Sequence, residues 1–456
     1  MSTGHSSRRT GLPFVIGVVS VTGLSLVAAG GASRGAALLR QFELPATSLT
    51  LFGYTQAQLD AAIPNGLTVD DQPAIGSGLI ALGGGHYLGI TDRGPNIDHF
   101  PDTTPPCDSG SANGKTHPLP QFTPAIVEFH AHDGRIDPVS IVNLVGNGGV
   151  PITGLSNFAP DDDPSFTNPC TAASVFNVNG MDVEDFAPLP GGRFIGVEEN
   201  RPSIFIGVLG TGLIEKRYIP TSQLLPGAAY TVQASLPEVL KTRSKNRGFE
   251  AVAVTPDLQT AYTMTQSPLE VGCAGGTGVC RNGRVLRILK LDVSNPYDIR
   301  VTGQYIYRMS DPAVYPAGNN ARALKLSAMS WVAPDKLLLL ERSDEPGIGG
   351  VRLVLVDLSG ATDINGQFDA SLVPEQTAGA GIPRHVSARV VFEEFENQPA
   401  GQRIFWTYKL EGMTIRNSNV VDIINDNDFG IIGDPNNPPP TSLWSIRLED
   451  QLPLGK

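Results

Sequence analysis

The sequence predicts an all-β protein of the β-propeller class, and two observations lead to that prediction. The 456 residues include 51 glycines and 37 prolines while only 17% are charged, a composition typical of loop-rich β proteins. No long amphipathic helical pattern stands out along the chain. The second observation is a strand-turn-strand unit that recurs. We therefore expect sheets repeated radially around a central channel.

The recurring unit opens with an acidic or small polar residue and closes with a second polar or charged residue 15 or 16 positions later. Between them lie a short apolar run, a break at Gly, Pro, Asp or Asn, and a β-branched or leucine-rich run, which predicts two strands and a turn. The five copies run from Ser77 to Asp92, Glu184 to Glu199, Glu250 to Gln266, Ser327 to Arg342 and Glu411 to Asp426.

The spacing of the copies leaves room for long loops between blades. Successive copies start 107, 66, 77 and 84 residues apart. The segment 345–400 can form a blade of its own or the outer strands of a neighbour, so we expect six blades, with five or seven as the alternatives. The segment PPPTSLWSIRLED predicts a final strand that closes the ring by pairing with the first blade.

The innermost strand of each propeller blade lines the central channel, so equivalent positions of successive repeats meet at one axis. Glu184, Glu250 and Glu411 each open a repeat and would therefore lie close together. Like charges at close range cannot all stay ionised without a cation or strong donors. A hard cation such as Ca²⁺, which takes oxygen ligands, is the simplest solution. The alternative is that these acids cap strands at a solvated channel mouth.

Motifs at the repeat ends supply further candidate ligands and cationic groups. Examples are Asp92 and Arg93 at the turn of ITDRGPN, and Asp426 and Asp428 in the NDND run. The predicted metal ligands are Asp92, Glu184, Glu199, Glu250, Glu341, Glu411, Asp426 and Asp428. The predicted catalytic groups are Glu184, Glu199, Glu250, Arg93, Arg342 and Lys409, and the predicted substrate-binding residues are Arg93, Asn200, Arg201, Arg247, Arg342 and Lys409. Alternatively, Asp92 and Arg93 form an ion pair that stabilises their turn, and the NDND run is an Asn/Asp turn without a ligand role.

Strand alternation divides the acids of the second repeat between two faces. Asp182 and Glu184 share a face, and Asp185 points away from it. For the same reason only one of Glu198 and Glu199 can face the channel.

The N-terminal segment 1–36 has the pattern of a signal peptide. Arg8 and Arg9 precede the apolar run LPFVIGVVSVTGLSLVAA, and small residues follow it. We expect cleavage between Ala29 and Ala37, an uncleaved anchor being the alternative. The mature chain, residues 37–456, would then be one propeller domain, secreted or periplasmic in a bacterium.

The charge balance limits the possible partners. The formal net charge is −12, and it becomes −15 without the signal segment because three arginines and no acids are removed. Such an acidic surface argues against nucleic acid and anionic membranes as partners. An anionic substrate must therefore be bound by a local cationic pocket or by a metal ion.

All four cysteines follow the signal segment, and an even number in an exported chain favours disulfides. Cys273 and Cys280 flank the flexible CAGGTGVC loop and can bond to each other, which leaves Cys107 to pair with Cys170. Three pairings are possible in all. The cysteine spacings do not match a zinc ribbon or knuckle.

Other catalytic motifs are missing from the sequence. It contains no G-x-S-x-G elbow, no H-E-x-x-H pair and no phosphate-binding glycine loop that opens a helix. Ser156 is a weak candidate nucleophile. His130 and His132 alternate on one strand face and could bind a metal, although a polar edge strand explains them as well.

Five motifs in order, GLIALGGGHYLGITDRGPN, DVEDFAPLPGGRFIGVEENRPSIF, NRGFEAVAVTPD, LSAMSWVAPDKLLLLERSD and KLEGMTIRNSNVVDIINDND, resemble the phytase-like, or "esterase-like activity of phytase", family of exported bacterial proteins. The likeness covers roughly residues 70–450. It implies a β-propeller related in architecture to calcium-dependent propeller phytases. The chain departs from the family pattern at Val183, where a proline is usual, and at Gln266, where an acid is usual.

These observations favour an exported, monomeric hydrolase that uses Ca²⁺ to cleave a small anionic phosphate or carboxylic ester at the propeller mouth. Carboxylates would hold the cation or act as general base, and the basic side chains would neutralise substrate oxygens. One alternative is a non-catalytic, calcium-stabilised propeller that binds a carbohydrate, a peptide or a cell-wall component. Another is a metal-dependent lactonase, which would need fewer basic residues.

Overall fold

In the computed structural model of the chain, consecutive strands pair into antiparallel sheets. The structure describes residues 35–99, 113–158, 162–270, 283–431 and 438–455. Within these ranges no helix has the length and apolar character needed to cross a membrane. The predicted signal segment lies outside them up to residue 34, so its cleavage stays a prediction.

The strands are β1 (Ala36–Glu43), β2 (Gly78–Gly83), β3 (His86–Ile90), β4 (Ile97–His99), β5 (Gly114–Thr116), β6 (Ala125–His132), β7 (Arg135–Asn143), β8 (Ser165–Phe166), β9 (Val183–Leu189), β10 (Arg193–Glu198), β11 (Ser203–Val208), β12 (Ile214–Pro220), β13 (Thr231–Leu236), β14 (Phe249–Val254), β15 (Thr260–Thr265), β16 (Val285–Asp292), β17 (Arg300–Arg308), β18 (Lys325–Ala333), β19 (Lys336–Ser343), β20 (Gly350–Asp357), β21 (Ser387–Phe395), β22 (Leu410–Asn417), β23 (Val420–Asn425) and β24 (Ser442–Leu448). The α-helices are α1 (Gln56–Ala62) and α2 (Val373–Gln376). Short 3-10 helices lie at Leu49–Phe52, Ile63–Asn65, Asn147–Gly149, Pro190–Gly192, Glu238–Thr242, Pro312–Val314, Ala400–Gln402 and Asp428–Gly430.

The strands form four-stranded blades around a central channel. Blade 1 is β2-β3-β6-β7, blade 2 is β9-β10-β11-β12 with β13 added in parallel, blade 3 is β14-β15-β16-β17, blade 4 is β18-β19-β20-β21 and blade 5 is β22-β23-β24-β1. The inner strands β2, β9, β14, β18 and β22 contact one another in a closed ring. The predicted β-propeller is therefore confirmed.

The described strands build five blades, which was one of the alternatives to the six that we expected. Each of the five sequence repeats supplies the two inner strands of one blade. The segment 345–400 supplies β20 and β21, the outer strands of blade 4, because they continue the antiparallel pairing of β19. It forms no separate blade within the described residues.

The ring is closed by the first strand of the chain. The final strand β24 pairs with β23 on one side and with β1 on the other, both antiparallel. β1 in turn meets β7 of blade 1 through one parallel pair, Glu43 with Arg135. The expected direct pairing of the final strand with blade 1 is therefore replaced by an intervening N-terminal strand, which gives blade 5 its fourth strand.

Apolar side chains fill the space between each pair of neighbouring blades. Tyr262 and Leu339 belong to the layer between blades 3 and 4, and Phe129 and Leu443 to the layer between blades 5 and 1. Because such close-packed layers resist deformation, they hold the strand ends at the channel mouth in fixed positions.

A small three-stranded sheet, β4-β5-β8, is built from the insertions around blade 1. His99 lies at the end of β4, with its Nδ1 2.7 Å from Thr116 Oγ1 and its ring stacked on Phe166. This sheet carries polar residues to the channel mouth. Three of the four cysteines of the predicted disulfides, Cys107, Cys273 and Cys280, lie outside the described residues, and the pairing stays a prediction.

Candidate active site

A cavity of about 550 Å³ opens where the sequence repeats begin and end. Both ends of a repeat reach this place because the two inner strands of each blade are antiparallel, so the start of one lies beside the end of the next. The lining acids are Asp92, Asp98, Asp163, Glu184, Glu199, Asp344, Glu411, Asp426 and Asp428. The lining cations are Arg93, Lys115, Arg247, Arg322, Lys325, Arg342 and Lys409. Both signs of charge therefore face the same space.

The first acidic cluster comprises Asp182, Glu184 and Glu199, from the start of β9 and the end of β10. One oxygen of each carboxylate lies within 4.8 Å of the others, and all three residues are buried. The Arg93 guanidinium contacts Asp182 Oδ2 and lies 3.4 Å from Glu199 Oε2. The backbone N–H of Arg93 also donates to Asp182 Oδ1 at 3.2 Å. Arg93 thus neutralises part of this cluster.

The second acidic cluster comprises Asp92, Asp426 and Asp428, which follow β3 and β23. Their nearest oxygens again lie within 4.8 Å of one another. The Lys409 ammonium contacts both Asp426 and Asp428 and lies 3.7 Å from Glu411 Oε1. Burial acts to lower the pKa of Lys409, but these carboxylates outweigh it and hold that pKa well above its usual value.

Arg342 connects the ends of blades 4 and 5. Its Nη2 donates to Glu411 Oε1 at 2.6 Å and its Nη1 to Asp344 Oδ2 at 2.7 Å. Lys325 Nζ also lies 3.1 Å from Asp344 Oδ2. Burial acts to raise the pKa of Asp344, but the charges of Arg342 and Lys325 outweigh it and hold that pKa far below its usual value. Asp344 is therefore a fixed negative charge at the cavity wall.

Four buried carboxyl groups of the site, Glu199, Glu184, Glu250 and Asp92, have a raised pKa and so hold their protons more tightly than usual. Burial, with the neighbouring charge of Asp182, raises the pKa of Glu199 to about 8. Burial and nearby carboxylates likewise raise the pKa values of Glu184, Glu250 and Asp92 well above the usual range. Near neutral pH these groups therefore need either protons or a cation.

The donor set fits a metal ion. Glu199 Oε1 and Glu250 Oε2 are buried and have no hydrogen-bond partner among the described residues. Leaving such an acceptor unsatisfied costs about 1–3 kcal/mol. Both acidic clusters offer only carboxylate oxygens, which hard cations such as Ca²⁺ and Mg²⁺ prefer. The acidic clusters can therefore hold a hard cation.

The structure brings most of the predicted site residues to this cavity. Ten of them line it: Asp92, Arg93, Glu184, Glu199, Arg247, Arg342, Lys409, Glu411, Asp426 and Asp428. Glu250 is buried outside the lining, yet its charge acts on both Glu184 and Arg342. As alternation predicts, Asp182 and Glu184 share a cluster, while Asp185 accepts the backbone N–H of Val252 at 2.8 Å.

Glu341, predicted as a metal ligand, lies away from the cavity lining. Its carboxylate accepts hydrogen bonds from Tyr307 Oη at 2.5 Å and from the backbone N–H of Ser310 at 3.0 Å. The reason is strand alternation: Arg342 faces the cavity, so its neighbour in β19 must face the other side of the sheet. The structure therefore places Glu341 at the contact between blades 3 and 4, outside the cavity lining, and its role as a metal ligand stays a prediction.

Asn200 and Arg201, predicted to bind substrate, are also absent from the lining. Arg201 Nη2 donates to Asp162 Oδ2 at 3.3 Å, and its guanidinium lies over the Phe158 ring. The backbone carbonyl of Asn200 accepts from Arg243 Nε at 2.8 Å. Both residues are buried, and they hold the loop after β10 against the loop that carries Asp162. Neither residue lines the cavity, and substrate binding by them stays a prediction.

Sequence reasoning missed several residues of the site. Asp182 stood in a quoted motif but was not chosen, although it lies in the first acidic cluster. Asp344 and Lys325 flank the fourth repeat, two residues beyond each of its ends, and that position was the available signal. Lys115 and Arg322 come from insertions, and no local pattern marks them as neighbours of the repeats.

Arg217→Met is expected to lower the free energy of unfolding by about 3–5 kcal/mol. Arg217 is fully buried and donates to Glu198 Oε2 at 3.1 Å and to Ser203 Oγ at 2.8 Å. Methionine leaves the buried Glu198 carboxylate without its counter-charge. Urea denaturation measures the loss, with Arg193→Met as control, since its partly exposed pair with Glu215 is worth only about 0–1 kcal/mol. Equal losses in both variants would contradict the prediction.

The fold and the site define a β-propeller with a highly charged cavity at the mouth of its channel. The phytase-like family, described as "esterase-like activity of phytase", matches residues 76–429. The match covers well over half of the chain, and the chain belongs to this family. No curated protein matches it.

Three solved structures with similar folds are described as two enzymes and one putative enzyme. A putative glycoside hydrolase from Parabacteroides distasonis is 8% identical, with 84% of this chain and 88% of that chain covered and a TM-score of 0.35. The periplasmic gluconolactonase of Pseudomonas aeruginosa is 11% identical, with 85% and 86% covered and a TM-score of 0.28. The PQQ-bound aldose sugar dehydrogenase of Streptomyces coelicolor is 11% identical, with 92% and 100% covered and a TM-score of 0.34. Likenesses at this level carry no argument about function.

Proposed function

We propose that this protein is an exported, metal-dependent hydrolase of small anionic esters, with Ca²⁺ as its cation. The observation that supports this most is the lining of the cavity, where two acidic clusters that can hold a cation stand beside seven basic side chains. A purely structural cation site would not need basic residues facing the same space. An anionic ester would need both kinds of group.

The acidic clusters would hold the cation, chiefly through Glu184 and Glu199 on one side and Asp92, Asp426 and Asp428 on the other. When bound, such a cation polarises an ester oxygen and lowers the pKa of its water ligand. Glu199 Oε1 has no hydrogen-bond partner among the described residues, so once the cation has displaced the proton of this carboxyl group, Oε1 would accept a proton from water and return it to the leaving group.

The basic side chains would bind and orient the substrate anion. Arg322 is exposed at the cavity edge and has no ion pair among the described residues, so its guanidinium can receive an incoming anion. Lys115 and Lys325 each contact one carboxylate, Asp98 and Asp344 respectively. They would add positive charge beside Arg322 and so attract the anion further. A fixed cation beside the reacting oxygens costs no reorganisation as charge develops.

Glu184→Gln and Glu411→Gln are expected to lower turnover by about a hundredfold or more, the effect of losing one preorganised polar group in an active site. The assay follows hydrolysis of p-nitrophenyl phosphate, phytate and p-nitrophenyl acetate, with Ca²⁺ and with EGTA. Glu215→Gln serves as a matched control, because Glu215 pairs with Arg193 away from the cavity.

The outcomes of this assay separate the candidate functions. Calcium-dependent turnover that both cavity variants lose, and that the control keeps, supports the hydrolase. The substrate preference tells phosphate from carboxylic esters. No turnover of any ester, together with a calcium-dependent melting temperature, would overturn the hydrolase in favour of a binding propeller.

The stabilisation given by Ca²⁺ is expected to increase with pH. Glu199 has a folded-state pKa of about 8 against a usual 4.5, so its contribution to stability is present below 4.5 and is lost as the pH rises through 8. The free energy of unfolding of the metal-free protein should therefore fall as the pH rises over this range. The raised pKa values of Glu184 and Asp92 act in the same direction. Ca²⁺ competes with protons for these carboxylates, so the stabilisation that Ca²⁺ gives should increase as the pH rises and the protons are lost. Melting curves at pH 5.5, 7 and 8.5, in Ca²⁺ or EGTA, test this; an equal calcium effect at all three would contradict it.

A further inference from the structure

Three imidazoles stack in a row on blade 1, outside the cavity lining. His86 on β3 stands directly opposite His130 on β6, and their ring centroids are 4.4 Å apart. The ring of His132 lies 4.5 Å from that of His130 on its other side. His86 and His132 are about two-fifths exposed, with side-chain exposures of 42% and 40%. Sequence spacing singled out His130 and His132, but only the sheet register brings His86 to them.

Carboxylates surround this row. Glu128 precedes His130 by two positions in β6, so the two share a face, and Glu128 Oε1 lies 3.5 Å from His86 Nδ1. On the other side, His132 Nε2 lies 2.8 Å from Asp137 Oδ2, and Arg135 also pairs with Asp137.

His132 is thus engaged by carboxylates at both ring nitrogens, Asp137 at one and Asp133 at the other. His86, His130 and Glu128 form the other half of the patch. His86 and His130 occupy directly paired positions of the sheet, and Glu128, paired with Leu88, lies two positions from His130 in β6.

We propose that His86, His130 and Glu128 form a second metal site, which binds a borderline transition-metal ion such as Zn²⁺. Imidazole and carboxylate together suit Zn²⁺, whereas the two acidic clusters of the cavity offer only carboxylate oxygens and suit harder cations. Two nitrogens on one tetrahedral zinc lie roughly 3.3 Å apart, given bonds of about 2.0–2.1 Å. The rings stack face to face in the structure, so metal binding requires them to rotate out of the stack until one nitrogen of each faces the ion. Water completes the coordination.

The test is calorimetric titration of the untagged full chain with Zn²⁺, in excess Ca²⁺ so that the acidic cavity is saturated. One Zn²⁺ per chain is expected for the wild type. Binding is lost in His130→Ala and His86→Ala and is weakened in Glu128→Gln. His385→Ala is the matched control, because His385 lies outside the patch and contacts the carbonyl of Gly379.

A second readout protects the test from folding defects. Zn²⁺ is expected to raise the melting temperature of the wild type and of His385→Ala, but not that of His130→Ala. If His130→Ala does not fold, the same measurement is made on His86→Asn, whose melting temperature Zn²⁺ should likewise not raise. The site is refuted if the wild type binds no Zn²⁺, if the variants in the patch still bind it fully, or if His385→Ala loses it equally.

Discussion

Lys409→Met is expected to lower the melting temperature in EGTA and to increase the stabilisation given by Ca²⁺. The Lys409 ammonium contacts Asp426 and Asp428, in the position that a cation would take in the second acidic cluster. Breaking a buried ion pair costs about 3–5 kcal/mol, because the remaining charge is uncompensated. Ca²⁺ bound to the second acidic cluster would compensate these carboxylates and recover the lost stability. In the wild type Ca²⁺ must first displace the Lys409 ammonium, whereas in the variant it does not, so the stabilisation by Ca²⁺ is larger. Thermal melting over a Ca²⁺ series measures both effects.

Lys325→Met is the matched control for this prediction. It removes an ammonium from the same cavity, but one that pairs with Asp344 rather than with the second acidic cluster. Its calcium response should therefore stay close to that of the wild type. If Lys409→Met responds to Ca²⁺ no more than this control does, the second acidic cluster does not bind the cation, and Lys409 is its permanent counter-charge.

Truncation after Pro440 is expected to leave the protein unfolded at room temperature. It removes β24, whose apolar side chains Leu443, Trp444, Ile446 and Leu448 are all buried. At about 1.5–3 kcal/mol each, they contribute about 6–12 kcal/mol. That is comparable to a typical total stability of about 5–15 kcal/mol. The loss also leaves β1 and β23 without their shared partner.

Circular dichroism and size-exclusion chromatography measure this effect. Truncation after Pro453 is the control, because it keeps β24 and the buried Leu452 and removes an exposed leucine, Leu454. It should fold like the full chain. A truncation after Pro440 that elutes as a compact species and melts cooperatively would show that the ring is stable without its closing strands.

Much of the site could be predicted because a repeat marks equivalent positions. Once Glu184 and Glu411 are recognised as openings of the same unit, propeller symmetry brings them together without further information. Alternation then separates Glu198 from Glu199: Glu198 pairs with the buried Arg217, while Glu199 lines the cavity. The same rule separates Glu341 from Arg342: Arg342 lines the cavity and Glu341 does not.

The remaining features depend on contacts between distant segments. The bond from Arg342 to Glu411 spans 69 residues, and that from Arg93 to Glu199 spans 106. A basic residue near a repeat end is visible in the sequence, but the acid that it pairs with is set by the packing of neighbouring blades. Insertion residues such as Lys115 belong to no repeat, so nothing local assigns them to the cavity.

The sequence by itself determined the propeller class, the inner strand pair of each described blade and ten of the acids and bases that line the channel mouth. These follow from local periodicity: alternation with period two and a unit reused five times. Only the tertiary structure decided the number of blades, the closure by β1, the pairing of Lys409 and Arg93 with separate acidic clusters, and the meeting of His86 with His130. The physical reason is that strand order and side-chain partners across blades are set by long-range packing, which a short sequence window does not encode.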